Sequence, residues 1–267
     1  MPDIHQCHVP CPTASLPVKR VALLFMKPNT QQDMTLTLTT KHCILFAALL
    51  LMAYPACAQH TATIDSLLAE ARQKDQDIRS QTLQLMKRIN QPPVSDSTLD
   101  SLTTLSLLQD SIDQANQQLV EQVLKNGLPE HLQPASYTTL WLIIDHAEPE
   151  MQKRYLPLMR EAAGKGHIAA SHIATLTDRV RLHEGKAQQY GTQAYTFTEN
   201  GRQRLYIWPV EDPEHLNRRR SEAGIASMED YLRLLRESTG CEVIYDPKLT
   251  VEQLKKMESD AKAKDGE

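Results

Sequence analysis

Asn200-Gly201 stands between two runs of alternating side chains, Ala194–Glu199 and Arg202–Trp208, and no other stretch constrains the fold as tightly. A two-residue Asn-Gly turn matches the twist of two antiparallel strands, because both residues tolerate the positive φ it needs. The turn sets the register. Glu199 then faces Arg202, Phe197 faces Arg204, Tyr195 faces Tyr206 and Gln193 faces Trp208, all on one side. Thr198/Gln203, Thr196/Leu205 and Ala194/Ile207 fall on the other, since side chains alternate along a strand. The predicted hairpin therefore has one strongly aromatic face and one mixed face. Tyr190, Tyr195, Phe197, Tyr206 and Trp208 are half of the ten aromatic residues that follow Gln59, which makes this segment either a local core or the wall of a site.

Everything around the hairpin reads as helix. Residues 63–90 carry Ile64, Leu67, Leu68 and Ala71, then Ile78, Leu85, Met86 and Ile89. Their middle, Arg72–Asp77, is polar all round and is expected to be poorly packed. Pro92-Pro93 breaks that helix within 91–97. Leu105, Leu108, Ile112, Ala115, Leu119 and Val123 recur at helical steps and predict a second buried face, closed by Gly127. Pro134 opens an apolar helix ending near His146. Pro149 opens another, to Gly164, with Pro157 inside it as a kink or break. Ser171 is the expected N-cap of the helix that Gly185 ends. Helices follow over 213–222, closed by Gly224, and from Ser227 to Gly240. A short strand is expected at Cys241–Tyr245, and a last helix from Val251 frays into a charged tail. The fold class is mainly α, helical hairpins packed with one β-hairpin, a helix-dominated α+β arrangement.

The N-terminal region has a different logic. From Met34, a lone Lys41, an apolar run Cys43–Ala53 and Ala56-Cys57-Ala58 give the three-part layout of a secretory signal peptide. The run is about half the length a membrane span needs, so no stable span is expected after cleavage. Residues 1–33 read as a non-native N-terminal extension and 34–58 as the signal. The mature part divides into an N-terminal helical segment (59–96), a helical domain (97–240) with the hairpin at 189–210, and a C-terminal strand, helix and tail (241–267). Export predicts a periplasmic or extracellular location. Cys241 is the one cysteine after residue 58, which excludes an internal disulfide in residues 59–267. The net charge of −4, with signs mixed along the chain, argues against nucleic acid as a partner.

Few residues offer chemistry. His146, at the end of an apolar helix, is a candidate acid/base group, and equally a histidine favoured there by the helix dipole. Asp178 and Arg179 are adjacent in mid-helix and point in different directions, so an inward charge would need a partner. Glu211-Asp212 supplies paired carboxylates or an ordinary helix cap. Arg218–Arg220 reads as a solvated run. His167 and His172 lack helical metal spacing, and no HExxH, CxxC or EF-hand loop is present, so neither a metal nor a cofactor is expected. In Gln189–Gln193, Gly191 permits a tight turn, and Tyr190, Thr192 and Gln193 place three polar groups beside the aromatic face. Such convergence also lines ligand pockets.

The order Asp145–Glu148, Asp178–Val180, Glu184–Gln193, Pro209–Gly224 and Met228–Leu232 resembles a bacterial family named as domain of unknown function 6624. The likeness runs from about Asn116 to Leu235, with Tyr-Gly-Thr-Gln its most specific piece. It implies recurrent polar positions at His146, Asp178, Arg179, Gln189, Tyr190, Gly191, Thr192, Gln193 and Arg219. The family pattern usually has a glutamine before its histidine, where this chain has Asp145. No activity comes with the resemblance. The leading expectation is a binding or interaction module for a small molecule, peptide or protein, using Arg179, Gln189–Gln193, Trp208 and Arg219. The second is a metal-independent hydrolase with His146 as general base, oriented by Asp178 or Glu211. The third is a structural domain, which holds if the C-terminal helices bury the aromatic face.

Overall fold

Proline and glycine divide the folded chain much as the sequence predicts. The computed structural model describes residues 63–86, 96–199 and 202–265, without the side chains of Asp96, Thr198, Glu199, Arg202 and residues 261–265. The N-terminal extension, the signal peptide, most of the proline break at 91–97 and the turn Asn200-Gly201 lie outside the described residues.

Helix α1 (63–86) runs antiparallel to α2 (Asp96–Val123), since Asn116 bonds the Ala71 carbonyl and Arg79 meets Asp113. Helices α3 (Pro134–His146), α4 (Pro149–Gly164) and α5 (Ala170–His183) pack against this pair. Their shared core holds Leu68, Ala71, Val120, Leu124, Leu140, Ile143, Ile144, Met159, Leu176 and Val180. Asp65 of α1 accepts bonds from the Gln133 N–H (3.1 Å) and the Ser136 hydroxyl (2.5 Å), capping α3 from a neighbouring helix. At the other end of α3, Gln152 donates to the carbonyls of Asp145 and Ala147.

Four local expectations change. The buried stripe of α2 runs through Asn116, Val120 and on to Leu124, while Leu108 is 49% exposed and Ala115 faces solvent. The apolar pattern misplaced it because polar residues, Asp113 and Asn116, occupy the packed positions. Arg72–Asp77 is not poorly packed, since Asp75 inside it is 1% exposed. Helix α4 continues across Pro157 without a break, with Leu156 and Met159 holding the turn in the core on either side. The N-cap of α5 is Ala169, with no side-chain bond, and Ser171 lies inside the helix. Burial of Ile168 fixes the entry of the chain earlier than Ser171 would have done.

Strands β1 (Ala194–Glu199) and β2 (Arg202–Ile207) pair in the predicted register, with Tyr195 opposite Tyr206 and Phe197 opposite Arg204. The Trp208 N–H donates to the Gln193 carbonyl, extending that ladder. A 3-10 turn (Pro213–His215), α6 (Leu216–Glu222) and α7 (Met228–Thr239) then carry the chain back, so that β3 (Glu242–Ile244) lies parallel to β2. Ser227 caps α7 by accepting the Asp230 N–H, and Gly240 ends it in the left-handed region, both as expected. The sheet is covered twice. Its mixed face, Leu205 and Ile207, packs with Leu216, Met228, Leu235 and Val243. Its aromatic face packs under α8 (Val251–Asp265), with Phe197 and Trp208 against Val251 and Leu254, so the condition set for a structural role of that face is met. The result is a helix-dominated α+β fold with a small mixed sheet. Among the described residues, no helix is long and apolar enough to cross a membrane.

Candidate functional site

The segment Gln188–Gln193 leaves α5 and enters β1 without being part of either, so side chains must satisfy its main chain. Asp178, on α5 and fully buried, does most of this. Its carboxylate accepts from the N–H groups of Gln189 (2.6 Å), Tyr190 (3.0 Å) and Thr192 (3.0 Å), and from the Thr192 hydroxyl (3.0 Å). Burial pushes the Asp178 carboxyl above its usual range, and these donor bonds pull the other way. Gln188, also fully buried, accepts the Gln193 N–H and donates its amide to the Gln193 and Trp208 carbonyls.

The carbonyl side is equally occupied. Glu211 N–H serves Gln188, Arg219 serves Gln189, Arg220 serves Tyr190 and Gly191, and the Tyr231 hydroxyl serves Thr192. Every carbonyl from Gln188 to Gln193 thus has a donor. Gly191 has φ +65, which favours glycine, and a Cβ there would stand 2.4 Å from the Met228 methyl and push that side chain aside. Arg218–Arg220 is not a solvated run. Arg220 is 2% exposed, lies 5.0 Å over the Tyr231 ring and threads into the turn, while Arg219 closes its outer side. Only Arg218 of the three faces solvent, because successive helical residues point about 100° apart.

His146 belongs to a different cluster. Its Nδ1 lies 2.9 Å from Asp75 Oδ1, with both side chains almost fully buried. Asp75 also meets Arg79 at 3.6 Å, and Arg79 holds both oxygens of Asp113 at 3.0 Å. The His146 and Arg79 contacts together outweigh burial and hold the Asp75 carboxyl below its usual range. Beside this chain, Arg179 pairs with Asp145 at 3.2 Å. Asp145, which stands just before His146, is therefore answered by an ion pair. The adjacent Asp178 and Arg179 are both buried but serve separate networks, one bracing the turn and one bracing α3. His167 and His172 stack on Tyr137 and Trp141. Among the described residues, no group of three or more His, Cys, Asp or Glu side chains could hold a metal ion.

Glu211 pairs with Arg181, whose Nε donates to the Ala187 carbonyl at 2.7 Å. Asp212 takes the cap position of the 3-10 turn in a left-handed conformation (φ 45) but makes no capping bond, contrary to the simple reading of Glu211-Asp212. Its carboxylate instead meets His215 and Arg219. Trp208 is buried, with its indole N–H donating to the Lys186 carbonyl at 2.8 Å. Arg181, Lys186 and Ala187, which these contacts hold in place, line an open groove of about 550 Å³ at the hairpin root. Arg181 (paired with Glu211), Lys186 (paired with Glu184) and Lys248 bring three cations to it beside the Glu252 carboxylate, and Pro209, Val210, Leu249 and Val251 an apolar wall.

The structure brings Asp178, Gln189–Gln193, Arg219 and Trp208 together around the turn, Glu211 at its edge, and His146 with Arg179 in the helical core. The sequence reading missed Gln188, Arg220 and Asp75. Asp75 carried a signal, since it continues the buried register Leu68, Ala71, Ile78 at helical spacing. Gln188 and Arg220 carried none beyond their neighbours.

The model of a family described as a family of unknown function, DUF6624, matches residues 62–244. The match extends the resemblance over α1 to β3 and stops short of α8. No curated protein and no solved structure matches the chain.

Proposed function

For a chain that belongs to the DUF6624 family of unknown function, we propose an exported binding module whose recognition surface is the groove at the hairpin root. The observation that carries this reading is the open groove itself, with the cations of Arg181, Lys186 and Lys248 beside an apolar wall. A site with a few polar groups set against apolar walls suits an extended peptide or small molecule that carries carboxylates next to apolar groups. Asp178, Gln189–Gln193, Arg219 and Trp208 then act from behind, fixing the turn that follows the lining residues Lys186 and Ala187. Export is supported by the Lys41, Cys43–Ala53 and Ala56–Ala58 layout.

Panning a random peptide library against the full chain tests the groove. Enriched peptides should combine acidic and apolar residues, and Lys186→Glu with Lys248→Glu should weaken them ~10-fold or more by reversing local charge. No enrichment, or enrichment indifferent to both changes, contradicts the reading.

One observation favours the hydrolase as a second reading, the buried His146–Asp75 hydrogen bond. Asp75 then takes the orienting role expected of Asp178 or Glu211, which are engaged elsewhere. Turnover of ester or amide substrates that is abolished by His146→Asn at unchanged stability would support it. Turnover unaffected by that change would end it.

A further inference from the structure

Among the described residues, the helix laid over the aromatic face of the hairpin is α8, and several observations set α8 apart from the rest of the fold. Its seat is narrow. Val251 and Leu254 are buried against Phe197 and Trp208, Met257 is partly buried, and the Tyr195 hydroxyl donates to Glu258 at 2.7 Å. Its first turn lines the open groove at Val251 and Glu252, so one flank of that turn is unpacked. Its N-terminus is closed by its own residues, because the Thr250 N–H donates to the Gln253 side chain (2.8 Å) and the Gln253 N–H to the Thr250 hydroxyl (3.2 Å). Such a reciprocal box keeps a helix start satisfied wherever the helix goes. The family match covers the hairpin and ends at residue 244, before α8.

The rings beneath also pack against one another. Tyr195 and Phe197 rings lie 4.8 Å apart, and Phe197 and Tyr206 meet edge-on at 5.2 Å, a geometry that aromatic pairs favour. We propose that α8 is an intramolecular occupant of a helix-docking surface, whose partner in trans is an amphipathic helix of the same pattern. That pattern is three apolar residues at i, i+3 and i+6 with a carboxylate at i+7, as in Val251, Leu254, Met257 and Glu258. A helix that lays its apolar stripe into a hydrophobic surface is a recurrent mode of peptide recognition. The short link from β3 to α8 keeps the resident helix at high effective concentration, so a competitor must displace it. The inference rests on the binding-module reading but assigns a second surface, and its partner is a folded helix.

The test uses the full chain and a fluorescently labelled synthetic peptide of residues 248–265. Leu254 is 1% exposed, so Leu254→Asp drives a charge out of the seat and lifts α8. Fluorescence anisotropy should show the Leu254→Asp chain binding the peptide ~10-fold or more tighter than the unaltered chain. A peptide carrying the same change should not bind. A folded Leu254→Asp chain that binds the peptide no better than the unaltered one overturns the proposal. Hydrogen exchange on the unaltered chain gives an independent check if the variant fails to fold. The amides of α8 should exchange through an opening that leaves β1 and β2 protected. Exchange of α8 only together with the whole molecule would overturn the proposal. The groove reading is tested by Lys186→Glu and Lys248→Glu with α8 in place, so the two readings fail separately.

Discussion

Asp178→Ala is the sharpest perturbation of this fold. The substitution removes the acceptor of three main-chain N–H groups, those of Gln189, Tyr190 and Thr192, and of the Thr192 hydroxyl. It also leaves the buried Arg220, whose charge the carboxylate faces, less well balanced. Each stranded donor costs about 1–3 kcal/mol, and water reaching the partly buried turn recovers some of it, so a net loss of about 3–6 kcal/mol follows. Against a typical domain stability of about 5–15 kcal/mol that is a large fraction. For a domain of this size it corresponds to a fall of roughly 10–20 °C in melting temperature. Asp178→Asn keeps one acceptor oxygen but turns an amide donor toward other donors, and should lose about half as much. Calorimetry and urea unfolding followed by far-UV circular dichroism measure both. If Asp178→Ala melts within about 2 °C of the unaltered chain, the turn does not depend on this carboxylate. The bracing argument for Gln188–Gln193 would then be wrong.

Gln188→Ala should cost about 2–4 kcal/mol, because Gln188 makes three main-chain bonds at zero exposure, whereas Gln193→Ala should cost about 1 kcal/mol or less. Urea midpoints that reverse this order refute the assignment. Gly191→Ala should destabilise by about 1–3 kcal/mol through its positive φ and the Met228 contact, and an unchanged midpoint would contradict the geometry. Burial holds His172 and His183 below the usual imidazole range. Above about pH 6.5 they are neutral in both states, and as pH falls below that the unfolded chain protonates first, so stability declines until the folded pKa values are reached. His172→Phe keeps a ring on Trp141 and should lessen the loss in urea midpoint between pH 7.5 and 5.5 (about one pH unit either side of the free value). An identical loss would sink the attribution. Protein recovered from the native host should begin at Gln59, and a product retaining Met1 contradicts export.

The elements were legible because their ends carry specific chemistry. Pro134 and Pro149 start helices, Ser227 caps one, Gly240 ends one, and Asn200-Gly201 fixes a register that Tyr195 and Tyr206 confirm. Buried polar residues were the weak point. Asp75, Asn116 and Arg220 occupy packed positions that an apolar count assigns to solvent, and each is there because a partner from a distant part of the chain answers it. No local pattern encodes such a partner. The aromatic face was read correctly as a face, but its cover, α8, is a mostly charged helix whose seat reduces to Val251, Leu254 and Met257. The polar residues around the turn were singled out in the sequence. Their roles were not, because a carboxylate aimed at a ligand and one aimed at its own main chain look alike in sequence.

The groove is best tested by solution NMR on the isotopically labelled full chain, titrated with an acidic, apolar peptide enriched by panning. The account predicts amide shift changes clustered at 185–187, Val210 and 248–252, in the segments that line the groove. Changes centred on His146 and Asp75, with the groove amides unmoved, would contradict it.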